Sequence, residues 1–240
     1  MNVAALYDVH GNLLALEAVL AEVPADSMVV VGGDVVSGPM PAETLAALRE
    51  LGHRACFIRG NADREVTAGS TEFHAGWVRD RLDPAELEFL EALDDTVVLD
   101  VDGLGPTLFC HASPRSDLES ITTFTPEDRL RPMLAAVEQR TVVCGHTHRQ
   151  FDRRLDGTRV VNAGSVGRPY EGRQGAFWVL LGPDVEHRRT EYDVDAMLDA
   201  AAAAGYPGAD ELRENQRDEM PDADEVAAFF ERGAQEQAPT

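Results

Sequence analysis

The alternation of strand-like and helix-like segments in the first sixty residues constrains the fold most. Short apolar runs at Val3–Tyr7, Met28–Val31 and Arg54–Ile58 are typical of buried strands. Between them, Leu13–Val23 and Pro41–Leu51 place apolar residues at helical spacing. A βαβαβ series of this kind requires parallel strands, because each helix carries the chain back across the sheet. The sequence therefore predicts an α/β domain.

The second half of the chain is dominated by short strands. Its pattern predicts helices at Pro84–Leu93 and Pro126–Gln139 and strands at Thr96–Asp100, Thr107–Cys110, Thr141–Cys144, Phe151–Leu155, Arg159–Asn162, Ala176–Leu181 and Glu186–Glu191. The dipeptide Asp156-Gly157 predicts a tight hairpin between two of these strands. The two halves together predict a four-layer α-β-β-α sandwich, in which two mixed sheets pack face to face with helices outside.

The C-terminal segment becomes helical and strongly acidic. Helical patterns cover Val194–Ala204, Pro207–Arg217 and Asp222–Arg232. We predict a domain over residues 1–193 and an acidic helical appendage over residues 194–240, packed on the domain or extending from it. Ten acids and three arginines in residues 205–240 favour a solvated surface, whose removal would leave turnover unchanged or slightly raised. A lid over the site or a dimer contact is the alternative.

Composition limits the partners and the compartment. The chain has 43 acidic residues and 21 basic ones, all arginine, so its net charge of −22 repels nucleic-acid backbones and anionic membranes. The N-terminus lacks the pattern of a signal peptide, and three cysteines are too few for a disulfide framework. We therefore expect a cytoplasmic protein, a monomer or homo-oligomer, that binds neither duplex nucleic acid nor membrane. An anionic substrate would require a local positive charge, such as metal ions.

Polar, glycine-rich motifs follow six predicted strands. They contain four of the seven histidines, and the candidate ligands in them are Asp8, His10, Asp34, Asn61, His111, His146 and His148. Ligands of open α/β sheets bind beyond the carboxyl ends of the strands, so we expect these motifs to converge on one edge. Imidazole and carboxylate together suit Mn, Fe, Zn or Ni, and the two oxygens of Asp34 suit a bridge between two ions.

Each motif taken alone also has a structural explanation. Asp-x-His, Gly-Asp and Gly-Asn after a strand are ordinary turns or helix caps. Gly145-His146-Thr147-His148 is the most specific, because two histidines in a glycine turn seldom serve packing. The histidines outside the motifs are predicted to be structural: His53, His74 and His187.

The ordered set of motifs from Asp8 to His148 resembles the calcineurin-like metallophosphoesterase superfamily. Arg59–Arg64 and Asn162–Gly167 are similar to its small bacterial and archaeal phosphodiesterase branch. The resemblance implies two divalent transition-metal ions, with manganese favoured over iron, nickel or zinc. It assigns one ion to Asp8, His10, Asp34 and His148, and the other to Asp34, Asn61, His111 and His146.

The resemblance also implies a reaction. A hydroxide bridging the two ions would attack a phosphodiester or phosphoanhydride in line, in a small phosphorylated substrate such as a nucleotide. Two ions, two aspartates and the hydroxide sum to about +1, which attracts phosphate within an acidic chain. The implied catalytic residues are Asp34, Asn61 and His111. The predicted substrate contacts are Arg59, Arg64 and Arg168, for which plain surface salt bridges are the alternative.

The sequence departs from the superfamily at Ala62, where many members carry a histidine that assists the leaving group. Acid–base assistance is worth about 10²–10⁴-fold, so we expect a preference for good leaving groups. A phosphomonoesterase, including a protein phosphatase, is the first alternative. A non-catalytic scaffold is the second, although a scaffold predicts missing ligands and all seven positions are filled here.

Overall fold

A computed structural model describes residues 1–236, in which ten strands form two five-stranded sheets. The strands are β1 (Val3–Leu6), β2 (Met28–Val31), β3 (Ala55–Phe57), β4 (Thr96–Val101), β5 (Gly105–Cys110), β6 (Thr141–Cys144), β7 (Phe151–Leu155), β8 (Thr158–Asn162), β9 (Ala176–Leu181) and β10 (Val185–Thr190). The helices are α1 (Leu13–Glu22), α2 (Pro41–Arg49), α3 (Asn61–Ala68), α4 (Ala75–Arg79), α5 (Pro84–Glu91), α6 (Glu127–Leu134), α7 (Val194–Ala203), α8 (Ala209–Arg213) and α9 (Ala223–Glu236).

Both sheets are mixed. The first has the order β10-β9-β1-β2-β3, and its β1, β2 and β3 are parallel, as the βαβαβ pattern predicts. The second has the order β4-β5-β6-β8-β7, with β5, β6 and β8 parallel and both edge strands antiparallel to their neighbours. The β7–β8 hairpin turns at Asp156 and Gly157, whose φ angles of +50° and +90° suit this tight turn.

Alternating side chains along the strands divide the core into layers. On β1, Leu6 packs on the helical side, whereas Ala5 and the adjoining Tyr7 pack between the sheets. On β6, Val143 faces the same inter-sheet core and Val142 faces the core beneath α6. The Tyr7 hydroxyl donates to the Val143 carbonyl at 3.1 Å and joins the two sheets. The predicted four-layer α/β sandwich is therefore confirmed.

Some predicted elements differ from the structure. The pattern predicts no helix directly after β3, but α3 begins at Asn61 because the Asp63 carboxylate accepts from the Gly60 N–H at 3.2 Å and caps the helix. Helix α6 ends at Leu134 and is shorter than predicted. The helix predicted over Pro207–Arg217 is divided into α8 and a π-helical turn at Glu214–Asp218.

The C-terminal helices pack against the rest of the chain. Helix α7 forms a buried cluster with Tyr206 and Leu212, and α9 buries Ala227 and Glu231. The last four residues of the predicted appendage, 237–240, lie outside the described residues, and the division of the chain at residue 194 stays a prediction. None of the helices within residues 1–236 has the length and apolar character needed to cross a membrane.

Candidate metal centre

The loops that follow β1, β2, β5 and β6 meet the first turn of α3 at one edge of the two sheets. The Asp8 N–H donates to the Gly33 carbonyl at 3.1 Å, and the His10 N–H donates to the Asp34 carbonyl at 2.8 Å. We use the name strand-end cluster for the seven residues placed here: Asp8, His10, Asp34, Asn61, His111, His146 and His148. Six of them are buried and His146 is half-buried. The structure thus brings together every predicted metal-ligand residue.

The backbone of this cluster is strained. Seven non-glycine residues in the described part of the chain have a positive φ, and five of them belong to the cluster. Their φ angles are 53° at Asp8, 47° at His10, 51° at Asp34, 66° at His146 and 55° at His148. Left-handed backbone at side chains of this kind is uncommon and concentrates at functional sites. The strain therefore marks this edge as functional on grounds independent of residue type.

The imidazoles of His10 and His148 are arranged to hold a cation. His10 Nδ1 lies 3.1 Å from the Ser37 carbonyl, and His148 Nδ1 lies 2.6 Å from the Arg168 carbonyl. A carbonyl only accepts, so each Nδ1 carries a proton, and in the neutral form of each ring the Nε2 atom has a free lone pair. The two Nε2 atoms are 3.1 Å apart. Two lone pairs at this distance repel each other, and a metal ion bound by both rings removes the conflict.

The same logic applies to His111. Its Nδ1 donates to the Gly32 carbonyl at 2.9 Å, and its Nε2 lies 3.0 Å from the Asn61 side-chain oxygen. Burial opposes a charge on this ring, but Asp34 and Asp8 beside it raise the pKa of His111. In the neutral ring, by contrast, Nε2 and the Asn61 oxygen are two acceptors directed at each other. The ring of His146 packs on that of His111 with centroids 5.2 Å apart. A second cation-binding position is therefore indicated on this side of the cluster.

The two aspartates lie between these positions. Asp34 Oδ2 is 3.8 Å from His10 Nε2, and Asp34 Oδ1 is 3.6 Å from His111 Nε2, so one carboxylate faces both sides. Asp8 Oδ1 is fully buried, and we find no hydrogen-bond partner for it within residues 1–236. Among the described side chains, two groups converge closely enough for a metal: Asp8 with His10 and His148, and Asp8 with Asp34 and His111. The residues present therefore fit divalent ions.

Burial and crowding shift the protonation of the cluster when no cation is bound. Burial raises the pKa of Asp34 to about 7. Burial and the neighbouring His111 lower the pKa of His146 to about 3. Burial alone would raise the pKa of Asp8, but His148 and His111 hold that pKa well below its ordinary range. A bound cation would stabilise this buried cluster, because the carboxylates and the imidazole lone pairs all interact favourably with a positive charge.

The cluster depends on a close approach of the Gly60 backbone to Asp34 and on hydrogen bonds from the motif after β8. A Cβ atom on Gly60 would lie 2.1 Å from Asp34 Oδ1, so this position requires glycine. In the motif after β8, the Ser165 hydroxyl donates to the Asp8 carbonyl at 2.7 Å, and Asn162 Nδ2 donates to the Gly145 carbonyl at 2.7 Å. The Asn162–Gly167 motif therefore positions the loops that carry the cluster.

The predicted substrate arginines surround the cluster in two cavities. Arg168 lines a cavity of about 430 Å³ together with His10, Asp34, Asn61, His146 and His148, and forms an ion pair with Glu211. Arg59 and Arg64 line a neighbouring cavity of about 510 Å³ that reaches His111. Arg59 pairs with Asp95 at 2.6 Å, and Arg64 pairs with Asp117 at 2.7 Å. All three positively charged groups are therefore already partnered by carboxylates.

Helices outside the motifs, and the segments that adjoin them, form another wall of the cavity that contains Arg168. We use the name helical wall for four residues that line it: His74, Tyr206, Glu211 and Phe230. The rings of Tyr206 and His74 lie 5.4 Å apart, and those of Phe230 and His146 lie 6.0 Å apart. The sequence pattern assigned His74 a structural role and favoured a solvated tail. The contacts instead place the inner faces of α8 and α9 over the site.

Comparisons with known proteins give the family of the fold. Residues 1–182 match the model of the calcineurin-like phosphoesterase superfamily domain. A metallophosphoesterase from Sphaerobacter thermophilus is similar with a TM-score of 0.74 and 26% identity, over 88% of this chain and 97% of that one. The hypothetical protein PH1004 from Pyrococcus horikoshii OT3 shares the fold with a TM-score of 0.77 and 21% identity, over 90% and 97%. No curated protein sequence matches this chain.

Proposed function

The chain belongs to the calcineurin-like phosphoesterase superfamily, and we propose that it hydrolyses phosphodiester or phosphoanhydride bonds with two divalent metal ions bound in the strand-end cluster. The observation that carries this proposal is the convergence of the Nε2 atoms of His10 and His148, 3.1 Å apart, while the Nδ1 atom of each ring donates to a backbone carbonyl. The buried Asp8 Oδ1 supports it, because this oxygen accepts no hydrogen bond from the described residues and lies 3.5 Å from His148 Nε2.

We propose the following division of ligands. One ion would be held by Asp8, His10, Asp34 and His148, and the other by Asp34, Asn61, His111 and His146. The position of Asp34, with one oxygen toward His10 and the other toward His111, supports its role as the shared ligand. A donor set of imidazole and oxygen without thiolate suits manganese, and iron, nickel or zinc are alternatives.

When bound, two such ions would activate a water molecule and neutralise the phosphoryl oxygens during in-line displacement. The chain itself would orient the substrate. Arg168 lies in the same cavity as the cluster and would contact phosphate oxygens once its pairing with Glu211 loosens. Water adds to phosphorus, the bond to the leaving oxygen breaks, and that oxygen takes up a proton.

The proton for the leaving oxygen needs a source other than residue 62. Ala62 has no acidic group, and its N–H donates to Asp34 Oδ1 at 2.8 Å. We propose His74 as the donor, because it lines the cavity beside the cluster and histidine is the side chain that most often acts as a general acid. Its backbone is also left-handed, with a φ of 56°, as at five cluster residues.

Metal removal and restoration test the proposal. Purified protein should contain about two transition-metal ions per chain by elemental analysis, and chelation should abolish hydrolysis of bis(p-nitrophenyl) phosphate. Adding Mn²⁺, Ni²⁺ or Mg²⁺ back to separate samples identifies the activating ion. A parallel assay with p-nitrophenyl phosphate separates diester from monoester hydrolysis. Full activity in demetallated protein contradicts the proposal.

A further inference from the structure

A third cavity, lined partly by apolar side chains, opens beside the cluster. It has a volume of about 660 Å³ and lies between α9 and the surface that carries Leu118 and Met133. Phe229 and Phe230 of α9 complete its apolar lining. We call this space the α9 cavity. One wall of this cavity lies outside the matched superfamily domain, because the family match ends at residue 182 and α9 begins at Ala223.

The α9 cavity is continuous with the candidate metal centre. Asn61, His146 and Phe230 line both this cavity and the one that contains Arg168. A phosphate held at the cluster would therefore have one substituent directed toward Arg168 and space for another beneath α9. A diester has two such substituents, whereas a monoester has one.

The side chains exposed in the α9 cavity favour an apolar occupant. Phe229 is 66% exposed and Leu118 is 52% exposed, which places both among the most exposed large apolar side chains of the described residues. Apolar groups of this size beside a polar centre are typical of ligand sites. Their exposure leaves apolar area that a bound ring would cover.

The charges in this cavity argue against a second phosphate. Its arginines are Arg115 and Arg129. Arg115 pairs with Glu119 at 2.6 Å, and Arg129 pairs with Glu231. Each cation is thus neutralised by a carboxylate, so the cavity offers little attraction to another anion and more to an uncharged group.

Helix α9 is held firmly enough to act as a wall. The Glu231 carboxylate is buried and accepts from the Thr122 hydroxyl at 2.7 Å and from Arg129. At the other end of the helix, Arg149 donates to the Ala223 carbonyl at 3.0 Å. These contacts fix the side of α9 that carries Phe230 against His146.

We infer that the α9 cavity binds an uncharged aromatic substituent of the substrate phosphate, and that Leu118 and Phe229 contact it. The inference rests on the proposed function, since the cluster must hold the phosphate. It makes the favoured substrate a diester with one aromatic arm, and it makes α9 an element that determines specificity.

Two phosphonates test this inference without turnover. Phenylphosphonate and methylphosphonate share a headgroup that the enzyme cannot hydrolyse and differ by one ring. Calorimetric titration of the Mn²⁺-loaded protein should give phenylphosphonate an affinity about tenfold higher, as expected for burial of part of a ring. Leu118→Ser and Phe229→Ser should each lower that ratio about threefold, and the double variant should bring it close to one.

Val98→Ser is the matched control, because Val98 is an exposed apolar residue of β4 and is not among the residues that line the α9 cavity or the cavity that contains Arg168. Its affinity ratio should equal that of the unmodified protein. Equal affinities for the two phosphonates in the unmodified protein overturn the inference and leave the proposed function intact. A high ratio that survives the double variant also overturns the inference, because the ring then binds elsewhere.

Two further outcomes are decisive. Binding of neither phosphonate to the loaded protein overturns the proposed function and the inference together. Sedimentation of the same variants examines a second copy of the chain as the occupant. If Leu118→Ser converts a dimer into a monomer and leaves the affinity ratio unchanged, the α9 cavity is an interface and the inference is wrong.

Discussion

The strand-end cluster and the helical wall enclose the same cavity but are built in different ways. The cluster lies on short loops that two sheets fix from below, and five of its residues have left-handed backbone. The wall comes from helices packed by side-chain contacts, such as Tyr206 on Trp77, whose rings lie 5.2 Å apart. The difference teaches that the positions of the candidate metal ligands depend on the strand ends, whereas the positions of the wall residues depend on packing between segments that are distant in the chain.

This comparison makes a prediction about the centre of the cluster, where we expect the largest effect. Asp34→Asn removes the charge from the carboxylate that faces both His10 and His111. We expect loss of both ions and a fall in turnover of far more than the roughly 100-fold typical of a lost outer-shell partner. Elemental analysis and a steady-state assay measure the two effects.

His187→Ala is the control for this variant. His187 lies 3.3 Å from the Asn162 carbonyl and outside the cluster, so metal content and turnover should remain nearly unchanged. If Asp34→Asn and His187→Ala behave alike, the assignment of Asp34 is wrong and the cluster is not the centre of the chemistry.

The support beneath the cluster gives the second prediction. Gly60→Ala would place a Cβ atom 2.1 Å from Asp34 Oδ1 and 2.2 Å from the Asp34 nitrogen. Asp34 must then move, and we expect about 100-fold weaker metal binding, with a parallel loss of turnover on every substrate. Competition with a fluorescent chelator measures the affinity.

Gly76→Ala is the matched control within α4, because no heavy atom lies within 4 Å of the added methyl group among the described residues. Alanine favours helix over glycine, so this variant should be stabilised by up to about 1 kcal/mol in thermal unfolding. Equal metal affinity in the two variants would show that close approach at Gly60 does not position Asp34.

The cluster could be predicted from the sequence because its order follows the strands. Asp8 and His111 come directly after an apolar run, Asp34 follows one after two glycines, and parallel strands end at a common edge. The position of these residues at strand ends therefore predicts where they meet, and their residue types predict that they bind a metal. The start of α3 was missed because its cap, Asp63, lies within a glycine-rich stretch that also predicts a turn.

The wall could not be predicted, because its placement depends on contacts between distant parts of the chain. Glu231 looks like one more acid of a solvated tail, yet it is buried against Thr122 and Arg129, which lie over one hundred residues earlier. The sequence around Glu231 does not indicate that Thr122 and Arg129 are its partners. His74 likewise belongs to no motif, and only the packing of Tyr206 beside it places it in the cavity.

The last prediction separates the chemical roles of the cluster and the wall. If His74 protonates the leaving oxygen, His74→Ala should matter only where the leaving group needs a proton. We expect up to about a 100-fold loss of kcat/KM for an alkyl leaving group, the low end for a positioned acid, and little change for p-nitrophenolate. A plot of log kcat/KM against leaving-group pKa should therefore be steeper in His74→Ala than in the unmodified protein. Metal content should be equal in both, which distinguishes proton transfer from damage to the cluster.

His53→Ala replaces an exposed histidine and should leave the slope unchanged. A histidine at position 62 is unsuited to restoring the shallow slope, because Ala62 is only 1% exposed and the larger ring would displace its neighbours. Identical slopes in His74→Ala and the unmodified protein would mean that the proton comes from water or from another wall residue, and the wall would then select substrates without taking part in the chemistry.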